Sequence, residues 1–317
     1  MKIVFMGTAE FAVASLDAIY KEGHEIVAVV TAPDKPAGRG LQLKFSDVKQ
    51  YALTQNLPVL QPEKLKDTSF ISTLQNLNAD IFVVVAFRML PEEVFTIPKL
   101  GTFNVHASLL PNYRGAAPIH WAVMNGEQKT GVTTFFLNKE IDKGDIIDFA
   151  EIEIGVEETT GELYERLMQI GATLAVKTID SITKGTHKTT SQSELANQNI
   201  RLAPKIFKQD TLIDWNSSAK EIFNKVRGLS PYPGAYTRIK TKDGNTLDIK
   251  CFQVVISEEK ADGKVGEIVT NGKDFIAVNA SDYRIYLKNV QLQGKSKMEI
   301  GDFLRGFRGE NFILELC

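Results

Sequence analysis

Residues 2–31 read KIVFMGTAEFAVASLDAIYKEGHEIVAVVT, and a change of hydrophobic period inside this stretch decides the fold class. Lys2 to Met6 is a short buried-strand run, Glu10 to Tyr20 carries its apolar residues at helical spacing, and Glu25 to Thr31 (EIVAVVT) is a second β-branched run. The alternation continues outward. A helical stretch at Ser46 to Gln55 precedes the run Leu57-Pro58-Val59-Leu60, and another at Asp67 to Leu77 precedes Ala79 to Ala86 (ADIFVVVA). Strands that are apolar throughout and separated by helices form a parallel sheet covered on both faces. Gly131 to Leu137 and Ile146 to Ile154 read as further strands, antiparallel because their connection is short. Thr159 with Glu162 then forms a capping box that opens a long amphipathic helix through Ile182.

The composition changes after that helix. Residues 184–209 are polar and weakly periodic, ending in Lys205, Phe207 and Lys208, which suits a linker. Beyond a short helix at Ala219 to Arg227 lies the turn Ser230-Pro231-Tyr232-Pro233-Gly234. Alternating runs follow at Ala235 to Lys240, Leu247 to Ile256, Gly263 to Thr270, Phe275 to Ala280 and Arg284 to Gln291. About five or six strands with one helix predict a small closed β-barrel. The expected organisation is therefore α/β: a Rossmann-like, mostly parallel sheet flanked by helices over residues 1–185, a linker over 186–208, and a small C-terminal β-barrel, oligonucleotide-binding-like, over 209–317.

Length and charge agree with two domains. The chain has 317 residues, 43% of them hydrophobic, enough for full cores. Its net charge of −2 conceals an asymmetry: residues 1–185 carry 17 Lys and Arg against 23 Asp and Glu, whereas residues 186–317 carry 20 against 16. A mildly basic C-terminal half suits a polyanion, or only a solvated surface. The two cysteines, Cys251 and Cys317, offer neither metal-ligand spacing nor a disulfide framework, so a reducing, cytoplasmic setting without metal is expected. The N-terminal run has only Lys2 ahead of it and is interrupted by Glu10 and Asp17. It reads as part of the fold, with neither a signal peptide nor a membrane span.

The turn after the first strand, Gly7-Thr8-Ala9-Glu10-Phe11, holds a single glycine, so the pyrophosphate approach of a dinucleotide fold is missing. There is no Walker loop, no H-E-x-x-H and no G-x-S-x-G. The chemistry lies instead in Asn104-Val105-His106-Ala107-Ser108-Leu109-Leu110-Pro111. Asn104 and His106 are two apart at the end of a predicted strand and share a face, which sets an amide donor beside an imidazole. That pair holds a developing oxyanion and moves a proton in acyl transfer. Downstream, Asp142 and Asp145 flank Gly144 after a strand; the pattern is either a simple turn or a carboxylate that meets His106.

In order and separation these blocks resemble the folate-dependent formyltransferases: N-x-H followed by S-L-L-P, then Arg114-Gly115-Ala116-Ala117-Pro118-Ile119, then the G-V-T…D-x-G-D-I block. Within that superfamily the chain is similar to the methionyl-tRNA branch. The shared segments are Gly7-Thr8-Ala9-Glu10-Phe11-Ala12, Pro33-Asp34-Lys35-Pro36-Ala37-Gly38-Arg39-Gly40 and Leu229-Ser230-Pro231-Tyr232-Pro233-Gly234-Ala235. The resemblance implies a formyl donor, 10-formyltetrahydrofolate, and an acceptor, the α-amino group of methionyl initiator tRNA, with no metal and no membrane. It also implies a catalytic trio of Asn104, His106 and Asp142. By the same resemblance the folate is held by Ser108, Leu109, Leu110 and Pro111 together with Phe87, Arg88, Met89 and Leu90, and the tRNA by Lys35, Arg39 and Lys44 on the first loop and by Lys205 and Lys208 on the linker. The chain departs from the family pattern at Ala9, at Ala107 and at Phe87-Arg88-Met89, the last near the expected pterin pocket. Two competing readings are a sugar-nucleotide N-formyltransferase, disfavoured by the basic loop around Arg39, and a non-catalytic RNA-binding protein, disfavoured by the intact trio.

Overall fold

The structure is a computed structural model that describes residues 1–37, 42–195, 199–240, 246–306 and 313–314. The chain divides into two compact units. The first comprises Met1–Pro118, Lys129–Ile152 and Tyr164–Ala203; the second comprises Ile119–Gln128, Glu153–Leu163 and Pro204–Cys317.

In the first unit the elements run β1 (Lys2–Gly7), α1 (Glu10–Lys21), β2 (Glu25–Val30), β3 (Lys35–Ala37), β4 (Gln42–Lys44), α2 (Asp47–Thr54), β5 (Val59–Leu60), α3 (Thr68–Asn76), β6 (Ile81–Val85), α4 (Glu92–Phe95) and β7 (Thr102–His106). After α5 (Pro118–Met124) come β8 (Lys129–Phe136), β9 (Ile146–Glu153), α6 (Thr160–Thr183) and α7 (Gln192–Leu195); the division between units passes through α5, β9 and α6. The main sheet has the order β5-β2-β1-β6-β7-β8-β9. Its first five members pair in parallel, β8 pairs antiparallel to β7 after the 22-residue connection that holds α5, and β9 lies beside β8 at the edge. The order reverses at β1, between β2 and β6, and in open α/β sheets ligands bind outside the carboxyl ends of the strands at such a reversal. In register, Gly7 lies beside Val85 and Val85 beside Val105, so the ends of β1, β6 and β7 open on one edge.

Central strands are apolar throughout because both faces are covered. Val4, Met6, Phe82 and Val84 pack on one side with Phe70, Leu74, Val94 and Phe95 from the helices. At the end of β1 only glycine fits: a Cβ on Gly7 would lie 2.6 Å from the Ala12 Cβ and 2.9 Å from the Phe5 ring, which lets α1 start directly against the strand.

The second unit holds α8 (Ala219–Gly228), β10 (Ala235–Lys240), β11 (Thr246–Lys260), β12 (Ile268–Thr270), β13 (Ile276–Asn279), β14 (Tyr283–Leu292), β15 (Met298–Glu299), α9 (Ile300–Gly306) and β16 (Ile313–Leu314). Ser218 and Glu221 cap α8 reciprocally, and its apolar face (Ala219, Ile222, Val226) joins a core with Trp215, Val254, Ile285 and Phe303. The antiparallel sheet runs β12-β13-β14-β11-β10-β16, with β15 beside β14. This curled antiparallel sheet is the C-terminal barrel expected from the strand pattern, present as a half-barrel. Among the described residues the end strands β12 and β16 do not pair with each other, and the sheet is a half-barrel. Its curl comes from the long strand β11, whose pairing with β14 shifts register at three places.

Candidate active site

The end of β7 carries the site. Asn104 is half-buried and lies opposite Phe135 of β8 in the ladder; His106 is buried and lies opposite Thr133. Opposed residues share a face, and the Phe135 ring meets the His106 imidazole edge-on with centroids 6.4 Å apart. Among the described residues the Asn104 amide has no hydrogen-bond partner within the protein, so its donor and acceptor are open to a ligand.

His106 is fixed from the far side. Its Nε2 lies 2.9 Å from the Tyr113 carbonyl oxygen, and since a carbonyl only accepts, that nitrogen carries a proton. The other nitrogen, Nδ1, has no protein partner among the described residues. In the neutral ring Nδ1 is a free lone pair; in the cation it is a second donor.

Asp142 lies in the β8–β9 connection with φ +53, in the left-handed region that aspartate tolerates better than most residues. Its carboxylate accepts from the Gly115 amide at 2.9 Å. No hydrogen bond or ion pair joins Asp142 to His106 among the described residues. The link between them is the backbone of Tyr113-Arg114-Gly115: one end supplies the carbonyl to His106, and the other supplies the amide to Asp142. Tyr113 and Gly115 both have positive φ, and a Cβ on Gly115 would lie 2.4 Å from the Ala203 carbonyl oxygen. Only glycine allows that turn to close.

Gln192, Arg201 and Ala203, within the segment 184–209 read from sequence as a linker, are built into this site. Gln192 is 2% exposed, and its amide makes four contacts. Its Oε1 accepts from Arg114 Nε at 3.0 Å and Nη2 at 2.6 Å, while its Nε2 donates to the carbonyls of Asp142 at 2.9 Å and Gly144 at 2.8 Å. Further on, Tyr113 donates its amide to Arg201 O at 2.6 Å, and Ala203 donates to Arg114 O at 2.8 Å. Burial pulls the Arg114 guanidinium below its ordinary pKa, while the carboxylates of Asp142 and Glu140 act to hold it up.

The expected folate segment divides by burial. Ser108 is fully buried, with Oγ donating to Asn112 O at 2.8 Å, and Leu110 packs with Phe135 and Ile146. Pro111 is buried too, which leaves Leu109 as the partly exposed member. Thr133 braces the bend by donating to Ser108 O at 2.7 Å and accepting from the Leu110 amide at 3.1 Å. After β6, Phe87 and Leu90 pack into the first unit's core, and Arg88 donates to the carbonyls of Pro62 and Glu63; Met89 is 66% exposed.

Lys35 and Lys44 face each other across the β3–β4 hairpin. Like charges directly opposite repel, so the pairing concentrates positive charge on an exposed element. Arg39 lies outside the described residues. The foot of the hairpin is tied by Thr31 Oγ1 to Ser46 Oγ at 2.7 Å, and by Asp34, which accepts from Lys49 Nζ and from Gln61 Nε2 at 2.8 Å. In the second unit Lys205 Nζ lies over the Phe207 ring at 5.5 Å, and Lys208 pairs with Asp248 at 3.2 Å.

Two family models match the chain. The model of the formyl transferase domain matches residues 1–179, and that of the formyl transferase C-terminal domain matches residues 205–308. The chain belongs to the formyl transferase family. This formyl transferase is 51% identical over 313 residues to a methionyl-tRNA formyltransferase of Azobacteroides pseudotrichonymphae, with 96% of this chain and 95% of the relative covered. It is 47% identical to one of Bacteroides thetaiotaomicron, with 97% and 96% covered. Among solved structures, the sugar 3N-formyl transferase WlaRD has a TM-score of 0.65 at 21% identity over 93% of this chain and 99% of that one, a likeness of fold.

Sequence reasoning missed the structural work of Gln192, Thr133, Lys49 and Gln61 in this formyl transferase. Each is a polar residue acting through hydrogen bonds to backbone or to one partner. Hydrophobic periodicity carries no signal for such contacts.

Proposed function

We propose that the protein transfers the formyl group of 10-formyltetrahydrofolate to the α-amino group of methionyl initiator tRNA, in the cytoplasm, in support of translation initiation. The observation that carries the reading is the unpartnered Asn104 amide beside a His106 ring held by the Tyr113 carbonyl, in a chain of this family. The amine nitrogen bonds to the formyl carbon and the carbonyl electrons move onto oxygen. Collapse breaks the bond between that carbon and the folate nitrogen, and the proton lost by the amine ends on the departing nitrogen. Asn104 N–H and the Nδ1 side of His106 are the donors offered to the oxyanion, and one such donor is typically worth about 3 kcal/mol. Asp142, with the Tyr113–Gly115 backbone between it and His106, fixes the loop against which the imidazole rests.

In this reading the folate lies along Leu109 and Met89 at the ends of β6 and β7, with the backbone of Ser108 to Pro111 as its floor. Apolar lining with a few polar groups suits a flat pterin. The tRNA is gripped by Lys35 and Lys44 of the hairpin, by Arg39, and by Lys205 and Lys208 of the second unit, through phosphates. A direct assay decides: 10-formyltetrahydrofolate with charged methionyl initiator tRNA, set against amino-sugar nucleotides. Formyl transfer to the tRNA alone supports the proposal, and transfer only to a sugar nucleotide refutes it.

A further inference from the structure

The second unit contains a cavity of about 510 Å³ that the chemistry above leaves unused, between the Phe207–Thr211 segment, the Tyr232-Pro233-Gly234 turn and the faces of β10, β11 and the end of β14. Its volume falls in the range of small-ligand sites. Its rim exposes aromatic surface: Tyr232 is 79% exposed and Phe207 52%. Two exposed rings converging on one hollow are not scattered surface residues, because each loses apolar burial that the adjacent core offers.

Cations accompany the rings. Lys205 Nζ lies 5.5 Å from the Phe207 centroid, and Tyr236 has Lys208 Nζ at 5.5 Å and Arg238 Cζ at 5.8 Å. Tyr232 has no such cation over it, so its faces are open among the described residues. Lys205, Lys208, Arg238 and Lys250 stand against two carboxylates: Asp248, taken up by Arg238 at 2.9 Å and Lys208 at 3.2 Å, and Asp210, which accepts from the Phe207 amide at 2.7 Å. Lys250 is turned to the Pro233 carbonyl at 2.6 Å. An open aromatic face in a hollow with surplus positive charge on its edge suits a planar base that carries a phosphate. Gln293 lines the same hollow, and its side chain has no hydrogen bond among the described residues, so its amide is free for the edge of a base.

We infer that this cavity holds one unpaired nucleotide of the RNA substrate, its base stacked on Tyr232 and its phosphates against Lys205 and Lys208. The inference rests on the RNA-acceptor reading above and adds to it a stacking site in the second unit. Stacking is tolerant of sequence, so the site selects an unstacked nucleotide by its accessibility.

The experiment uses the full chain and two probes of equal strand length: a single-stranded RNA heptamer with a central 2-aminopurine, and a blunt, fully paired RNA duplex of two complementary heptamers. The heptamer should bind with quenched fluorescence. Tyr232→Ala should weaken it roughly 5- to 100-fold, the range for losing one base–aromatic stack, and Tyr232→Trp should restore both affinity and quenching. Phe207→Ala should act in the same direction, while duplex affinity stays unchanged in both variants. Heptamer affinity indifferent to Tyr232→Ala, or equal losses for heptamer and duplex, would overturn the inference, since either means that no unpaired base is stacked on Tyr232. Formylation by the wild-type protein is followed in parallel. Transfer that persists without any Tyr232 dependence removes the cavity assignment alone; absent transfer with intact Tyr232 dependence removes the transferase reading alone.

Discussion

Gln192→Ala tests whether the site depends on a residue far from it in sequence. The substitution removes one amide that is 2% exposed and bound to four groups: two nitrogens of Arg114 and the carbonyls of Asp142 and Gly144. The guanidinium is only partly buried and can turn to water, so its loss costs little. The two carbonyls lose a donor in a poorly hydrated place, at about 1–3 kcal/mol for each buried group left unsatisfied. Summed and discounted for partial hydration, the destabilisation is about 2–4 kcal/mol, concentrated in the Asp142 loop. Asp142 already occupies a left-handed conformation, which a slackened loop relaxes. A displacement of about 1 Å in a catalytic group can lower the rate by about 100-fold, so kcat for formylation should fall between about 10- and 100-fold while KM for tRNA stays near wild type. Gln192→Glu separates the two halves of the contact. A carboxylate keeps the acceptor for Arg114 but offers no donor to the carbonyls, so it should fail to rescue kcat. Steady-state formylation with a thermal melt on each variant is the assay. Wild-type kcat in Gln192→Ala, or a defect confined to KM for tRNA, would refute the reasoning.

Three further outcomes are expected. His106→Ala and Asn104→Ala should each cost most of kcat without unfolding the protein, and the double variant should cost far less than the product, because the two groups serve one intermediate; multiplicative losses measured in the same formylation assay would contradict that. Lys35→Ala, Lys44→Ala and Arg39→Ala should raise KM for tRNA and leave folate affinity alone, and tRNA binding should weaken steeply with salt while folate binding does not; a salt titration of both ligands reads this out, and equal slopes would remove the assignment. Asp34 is held below the ordinary carboxylate pKa by its hydrogen bonds to Lys49 and Gln61, so its contribution is fully present above the unfolded value of roughly 4 and is lost as pH falls through the lower folded value. Melting the wild type and Asp34→Asn across acid pH should show a gap that is constant above about pH 4 and closes below it, and a gap that widens on acidification would be the wrong sign.

The sequence by itself determined the elements and their kind. Period-2 and period-3.6 patterns are local, and runs such as Ile81–Val85 and the capped helix after Thr159 follow from residues that touch along the chain. Asn104 and His106 could be placed on one face for the same reason. Only the tertiary structure decided what depends on partners distant in sequence. Which strands of the second unit become neighbours, in the order β12-β13-β14-β11-β10-β16, is set by long-range pairing that no strand pattern encodes. Likewise Asp142 reaches His106 through the Tyr113–Gly115 backbone, and polar Gln192 belongs to the site, because hydrogen bonds across 27 and 50 residues arise from folding geometry and not from composition.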